Sequence, residues 1–196
     1  MACCSLPRPW HCCAVYILYV LVKLLLRIEA PHAAYRTCEH NIILGIVLNI
    51  LVKNEIRFYR ATGEYGFLSN LYKRPILFEG KKFSCSEAAY QFGKPRDEKV
   101  ANWLVKAPKP HLCAAAAHSL FVFDVKEDWN KKKLDRMRRV LLAKFKQHGD
   151  LAEKLKATGN AKLIEESNMD AFWGIGKRGN GKNMLGILLM EIRGKI

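Results

Sequence analysis

Leu134, Met137, Leu141 and Phe145 recur at steps of three and four residues, a spacing that gathers them on one side of a helix and scatters them along a strand. Lys131, Lys132, Arg136, Arg139 and Lys146 occupy the other faces, so residues 128–147 are predicted as one amphipathic helix of about five turns. An apolar stripe of that length has to be covered. The rest of the chain must therefore supply a packing layer for it.

The flanking sequence offers several candidates for that layer. Residues 55–60 (EIRFYR) alternate polar and apolar side chains, the pattern of a half-buried strand. In residues 75–83 two apolar stretches flank Glu79-Gly80, which predicts a tight hairpin turn. Ser84 and Glu87 stand at capping-box spacing and open a helix that continues through Tyr90 and Gln91. Residues 97–105 and the alanine-rich 110–120 are further helical segments, and a shorter one centres on 151–156. A glycine-rich loop follows at 174–181, after which Asn183 is placed to cap a last apolar helix over 184–192. Few strands, several helices and no strand–helix alternation give an α+β class, a predominantly helical single domain with a short antiparallel β element.

That domain occupies residues 55–196. Residues 1–54 read differently: five of the seven cysteines lie there (Cys3, Cys4, Cys12, Cys13 and Cys38), and residues 12–26 are apolar except for Lys23. The run is shorter than the ~20 residues that cross a bilayer. It fits an anchor or signal, with acylation of the neighbouring cysteines, or a bland extension, and any membrane contact is expected only through this segment. Two cysteines in the domain suit a reducing, cytoplasmic setting. With 50% hydrophobic and 26% charged residues the chain buries a real core, which excludes general disorder. Its net charge of +15, of which +12 falls in residues 55–196, suits a phosphorylated or polyanionic partner or serves solubility alone.

The candidate chemistry lies in three places. Glu87, Tyr90, Gln91 and Lys94 follow at i, i+3, i+4 and i+7, so one helix face carries an acid, a phenol, an amide and an ammonium. Turned inward, such a face is costly unless it lines a site, whereas a capping-box glutamate needs no further role. Asp170-Ala171-Phe172-Trp173 places a carboxylate beside an indole, directly before the loop bearing Lys177, Arg178 and Lys182. Such a loop entering a helix can present backbone N–H groups to a phosphate, or it is an ordinary connection. Trp129 precedes the long helix as a packing anchor or a stacking platform, and residues 131–133 form a solvated basic run or a nucleic-acid contact. The domain's histidines and cysteines show no metal-ligand spacing, and no cofactor or metal is expected.

Taken together, Tyr65-Gly66-Phe67-Leu68-Ser69-Asn70, Ser86-Glu87-Ala88-Ala89-Tyr90-Gln91 with Lys94, Asp128-Trp129, Leu163-Ile164-Glu165, Asp170-Ala171-Phe172-Trp173-Gly174 and Gly181-Lys182-Asn183-Met184-Leu185-Gly186 resemble the NADAR, or YbiA-like, family from about residue 55 onward. Ala88 departs from the histidine frequent in the family, and residues 113–124 lack its glycine-arginine pair. The resemblance implies an N-glycosidase acting on the bond between a base or amine and a phosphorylated ribose. The substrate would be a ribosylamine phosphate of riboflavin synthesis or an ADP-ribosyl adduct, including one on guanine in nucleic acid. It further implies Glu87 and Asp170 as catalytic residues, with Trp129, Trp173, Lys94 and Asn183 as substrate contacts. A catalytically silent module that binds ADP-ribose or nucleic acid is the rival from another class. The pattern sets no oligomeric state.

Overall fold

The alternation in Glu55–Phe58 (β1) turns Ile56 and Phe58 inward and Glu55 and Arg57 outward. Its partner lies more than a hundred residues away. In the computed structural model, which describes residues 54–196, β1 pairs in parallel with Lys162–Glu165 (β4), Glu55 opposite Lys162 and Phe58 opposite Glu165. Ile76–Phe78 (β2) and Lys81–Phe83 (β3) form the antiparallel hairpin, joined through Glu79 and Gly80 at φ of 50° and 74°. Both angles lie in the left-handed region, which a two-residue turn of the I′ kind requires. The Glu79 carboxylate reaches Arg136 and Arg139, and these pairs outweigh its partial burial and hold its pKa below the ordinary value.

Six α-helices complete the domain among the described residues: Ser86–Phe92 (α1), Glu98–Val105 (α2), Pro110–His118 (α3), Trp129–Gln147 (α4), Gly149–Lys156 (α5) and Met184–Arg193 (α6). The class is α+β, as the sequence predicts, with a parallel strand pair in addition to the hairpin. None of these helices is long and apolar enough to cross a membrane. The expectations placed on residues 1–53, the apolar run and its cysteines among them, lie outside the described residues.

The long helix α4 is the axis of the packing and touches α1, β2, α5 and α6. Its predicted stripe, Met137, Leu141 and Phe145, is buried against Leu163 of β4 and Leu185 and Leu188 of α6. A second stripe, Arg136, Val140 and Lys144, is buried as well. Arg136 was placed on a polar face by periodicity alone; instead it runs inward and donates to the main-chain carbonyls of Ala89 and Tyr90 near the end of α1. A cation at that end answers the helix dipole and the carbonyls that lack intrahelical partners. Gly93 leaves the room it needs, since a Cβ there would fall 2.2 Å from Arg136 Nε. Lys144 is wholly buried and donates to the carbonyls of Phe67 and Ser69 at 2.6 and 3.1 Å, with burial lowering its pKa to about 7.

Two capping expectations do not hold. Helix α1 has Cys85 at its N-cap with no side-chain bond, because the backbone starts the helix two residues after Ser84; Glu87 is therefore free of a capping duty. Asn183 sits at the start of α6 at φ 51° and does not cap it either. Its amide turns to β4, accepting from Glu165 N–H at 2.9 Å and donating to the Leu163 carbonyl at 2.8 Å. Gly186 admits this close approach: a Cβ would stand 2.1 Å from the Leu163 carbonyl oxygen.

Two outcomes follow for stability. Gly186→Ala should gain about 1 kcal/mol of helix propensity and still destabilise the domain by about 1–3 kcal/mol, because the methyl group forces α6 off β4; urea unfolding measures the balance. For Lys144, the unfolded chain holds a proton up to the ordinary value of 10.5 that the folded chain releases above about 7. Its contribution to stability therefore rises with pH across that window. Wild type should gain on Lys144→Met as pH is raised from 7 to 10, in parallel urea titrations.

Candidate active site

The acid–phenol–amide–ammonium face of α1 turns inward, as it would to line a site. Glu87, Tyr90, Gln91 and Lys94 all line one cleft of about 1080 Å³. Glu87 is buried, and Gln91 Nε2 donates to its Oε1 at 2.7 Å. Burial pushes the Glu87 pKa up; the Gln91 bond opposes this, the charge of Asp170 adds to it, and Lys94 draws it back. Lys94, just past the helix end, is lowered by burial, held up by Glu87, and donates to the Ala117 carbonyl of α3. The register of α1 is fixed from outside, because Glu87 N–H donates to the Asn70 carbonyl.

Asp170 faces the same cleft from the far end of the sequence. Its Oδ1 accepts from the backbone N–H groups of both Phe172 and Trp173 at 2.8 Å, an Asx turn that fixes the direction of the carboxylate. Trp129 and Trp173 line the cleft with Tyr90 between them, ring centroids 5.1 Å and 5.5 Å away. Burial and the Glu87 charge raise the Tyr90 phenol above its ordinary value, against a hydrogen bond from the Trp173 indole. Trp129 is also part of the main core, so it is a packing anchor that lines the cleft as well.

Of the six residues singled out from sequence, five line the cleft: Glu87, Asp170, Trp129, Trp173 and Lys94. Asn183 does not, because both ends of its amide are held by β4. The glycine-rich loop likewise lies outside the cleft lining. Its N–H groups fold it on itself, Gly179 to the Gly176 carbonyl and Gly181 to that of Ile175, and Lys182 N–H donates to Ala171. Lys177, Arg178 and Lys182 are absent from the cleft lining, which takes its positive charge from Lys94, Arg96, Lys126 and Lys133. Lys133, read as part of a solvated run, places its ammonium 4.1 Å above the Phe172 ring. Ala88, where the family often has histidine, faces the core with Ile76 and Val140 rather than the cleft.

Sequence reasoning also passed over Glu165. It ends β4 at the cleft, and burial, followed by the charges of Asp170 and Glu87, raises its pKa to about 8. The available signal was an acid closing the apolar string Leu163-Ile164. Buried side-chain polar atoms without a partner mark the same place: among the described residues they are Asn70 Oδ1, Ser86 Oγ, Gln91 Oε1 and Glu165 Oε2, and all but Ser86 belong to the cleft. Buried polar groups are ordinarily satisfied, so unmet ones gathered in a cleft point to a ligand. No group of three or more His, Cys, Asp or Glu side chains suited to a metal ion occurs among the described residues.

The chain is similar to N-glycosidase YbiA of Escherichia coli (strain K12), with 37% identity over 147 residues, 75% of this chain and 91% of that one. It is also similar to a riboflavin biosynthesis protein of Vibrio vulnificus (strain YJ016), with 34% identity over 143 residues, 73% of this chain and 39% of that one. The solution NMR structure of E. coli YbiA superposes with a TM-score of 0.66 at 37% identity, covering 74% of this chain and 86% of that one. The NADAR domain model matches residues 57–196, which takes in the second half of β1 and every later element through α6. A cleft that joins Glu87 and Asp170 across an aromatic wall is thus built on a fold shared along nearly its whole length, and the chain belongs to the NADAR family.

Proposed function

We propose that this domain is an N-glycosidase that hydrolyses the bond between a base or amine and the anomeric carbon of a phosphorylated ribose. The observation that carries the reading is the meeting of Glu87 and Asp170 in one aromatic-walled cleft. Breaking an N-glycosidic bond builds positive charge on the sugar carbon, and a fixed carboxylate beside it lowers the barrier electrostatically. Asp170, held by two backbone N–H groups, suits that task and the activation of water. Glu87, buried and tied to Gln91, shares in it from the opposite end of the sequence. The walls of Trp129, Tyr90 and Trp173 suit a planar base or amine, held by stacking.

Lys94, Arg96, Lys126 and Lys133 in the cleft suit phosphate groups. Four cations and a cleft at the upper end of ordinary pocket sizes favour the larger, doubly phosphorylated ADP-ribosyl adduct over a ribosylamine monophosphate. The name of the E. coli relative, an N-glycosidase, supports the reaction class, and that of the V. vulnificus relative supports the ribosylamine phosphate as the second substrate to try. Cys85 and Cys113, both free buried thiols, suit the reducing cytoplasm.

The test is product release followed by mass spectrometry across N-ribosyl phosphates and ADP-ribosylated nucleotides. Glu87→Gln and Asp170→Asn should each lower kcat by about 10²–10⁴-fold while substrate binding changes only a few-fold. Near-normal turnover in both variants overturns the assignment. Tight ADP-ribose binding in calorimetry, without release of product from any member of the panel, favours a silent binding module instead.

A further inference from the structure

The cleft holds three carboxyl groups, and their surroundings differ in one respect that sorts them. Asp170 Oδ1 accepts two backbone N–H bonds, and Glu87 Oε1 accepts one from Gln91 with Lys94 close enough to favour its charge. Glu165 has neither aid. Its Oε2 is shielded from solvent and, among the described residues, meets no donor, and burial and the charges of Asp170 and Glu87 are what act on it. A carboxyl group so placed carries no compensated charge, whereas a protonated one donates rather than waits for a donor. Its backbone is clamped on both sides, N–H to Asn183 at 2.9 Å and carbonyl to Ile175 N–H at 3.0 Å, so the carboxyl is presented from a fixed strand end.

Resting on the N-glycosidase reading, we infer that Glu165 is the general acid of this site, the residue that hands a proton to the departing nitrogen. As the bond between the anomeric carbon and nitrogen breaks, its electron pair goes to nitrogen, which takes the Glu165 proton and leaves as the neutral amine or base. Water adds to the anomeric carbon, and its proton passes to the Asp170 carboxylate, which two backbone N–H groups hold at the cleft. Transfer of that proton back to Glu165, directly or through solvent, restores the starting state, and the net reaction is hydrolysis. Asp170, whose carboxylate receives two hydrogen bonds, is the base, and Glu165, whose Oε2 receives none among the described residues, is the acid. Burial and the charges of Asp170 and Glu87 keep the Glu165 proton in place up to about pH 8. The other titratable or charged groups lining the cleft are Tyr59, Tyr90, His118 and Glu127, besides the four cations already named.

Two probes and one spectroscopic measurement test the assignment on the full chain. One probe is an N-ribosyl 5-phosphate of an aromatic amine, which needs protonation to leave. The other is 4-nitrophenyl riboside 5-phosphate, whose nitrophenolate leaves without it. Glu165→Gln should lower kcat on the amine probe by about 10²-fold or more, abolish the decline of wild-type kcat above about pH 8, and cleave the nitrophenyl probe within a few-fold of wild type. In infrared difference spectra between pH 7 and pH 9.5, wild type should lose a protonated-carboxyl band that Glu165→Gln never shows. Normal turnover of the amine probe by Glu165→Gln, or equal losses on both probes, overturns the acid role, as does a missing band. Wild type that releases product from neither probe overturns the N-glycosidase reading and this inference with it, and the infrared band then reports the Glu165 proton by itself.

Discussion

Two basic side chains that run inward from α4, Arg136 and Lys144, hold the main chain on which the cleft is built. Arg136 grips the carbonyl end of α1, and Lys144, two turns further on, grips the carbonyls of Phe67 and Ser69. Neither is matched by a fully buried carboxylate; both donate to main-chain oxygens, those of Ala89 and Tyr90 and those of Phe67 and Ser69. The segment fixed by Lys144 runs into Asn70, whose carbonyl receives the Glu87 amide. The direction of the Glu87 side chain is thus set from α4 by two linked anchors, one at each end of α1. Hydrogen bonds to buried charged or polar groups are costly to lose, so this framework resists disruption at both ends of α1.

On that frame the cleft separates its acids by environment instead of by residue type. The same carboxyl group is anchored by backbone amides at Asp170, by a neighbouring amide at Glu87, and left without a donor at Glu165. Tyr90 takes part in the same arrangement, for its ring separates the two tryptophans while its phenol takes the Trp173 hydrogen bond. Pushing the protonation of like groups apart is how one fold obtains acid and base at a single pH.

Local sequence patterns were legible wherever one element decided them. The period of α4, the alternation of β1, the Glu79-Gly80 turn and the inward face of α1 each follow from spacing within a single segment. What stayed hidden depends on a partner elsewhere. β4 has two adjacent buried residues, Leu163 and Ile164, and no alternation, because the strand is covered on both faces. Asn183 resembles a cap until β4 is known to lie beside it, and Arg136 resembles a surface residue until the end of α1 is placed against it. The basic loop is a further case: the amides of Gly179, Gly181 and Lys182 find acceptors in Gly176, Ile175 and Ala171, which spacing alone does not reveal. Glu165 became visible only once β4 set it opposite Phe58.

The parallel pairing of β1 with β4 carries a consequence for biosynthesis. Antiparallel neighbours zip together soon after they are made, but Phe58 has to wait for Glu165, and Glu165 for Asn183. A nascent chain leaving the ribosome therefore carries Glu87, Trp129 and the cations of the cleft well before it carries their opposite wall. The wall that bears Glu165, Asp170 and Trp173 therefore docks onto a face made long before it, and the two halves of the cleft meet only when β4 has found β1.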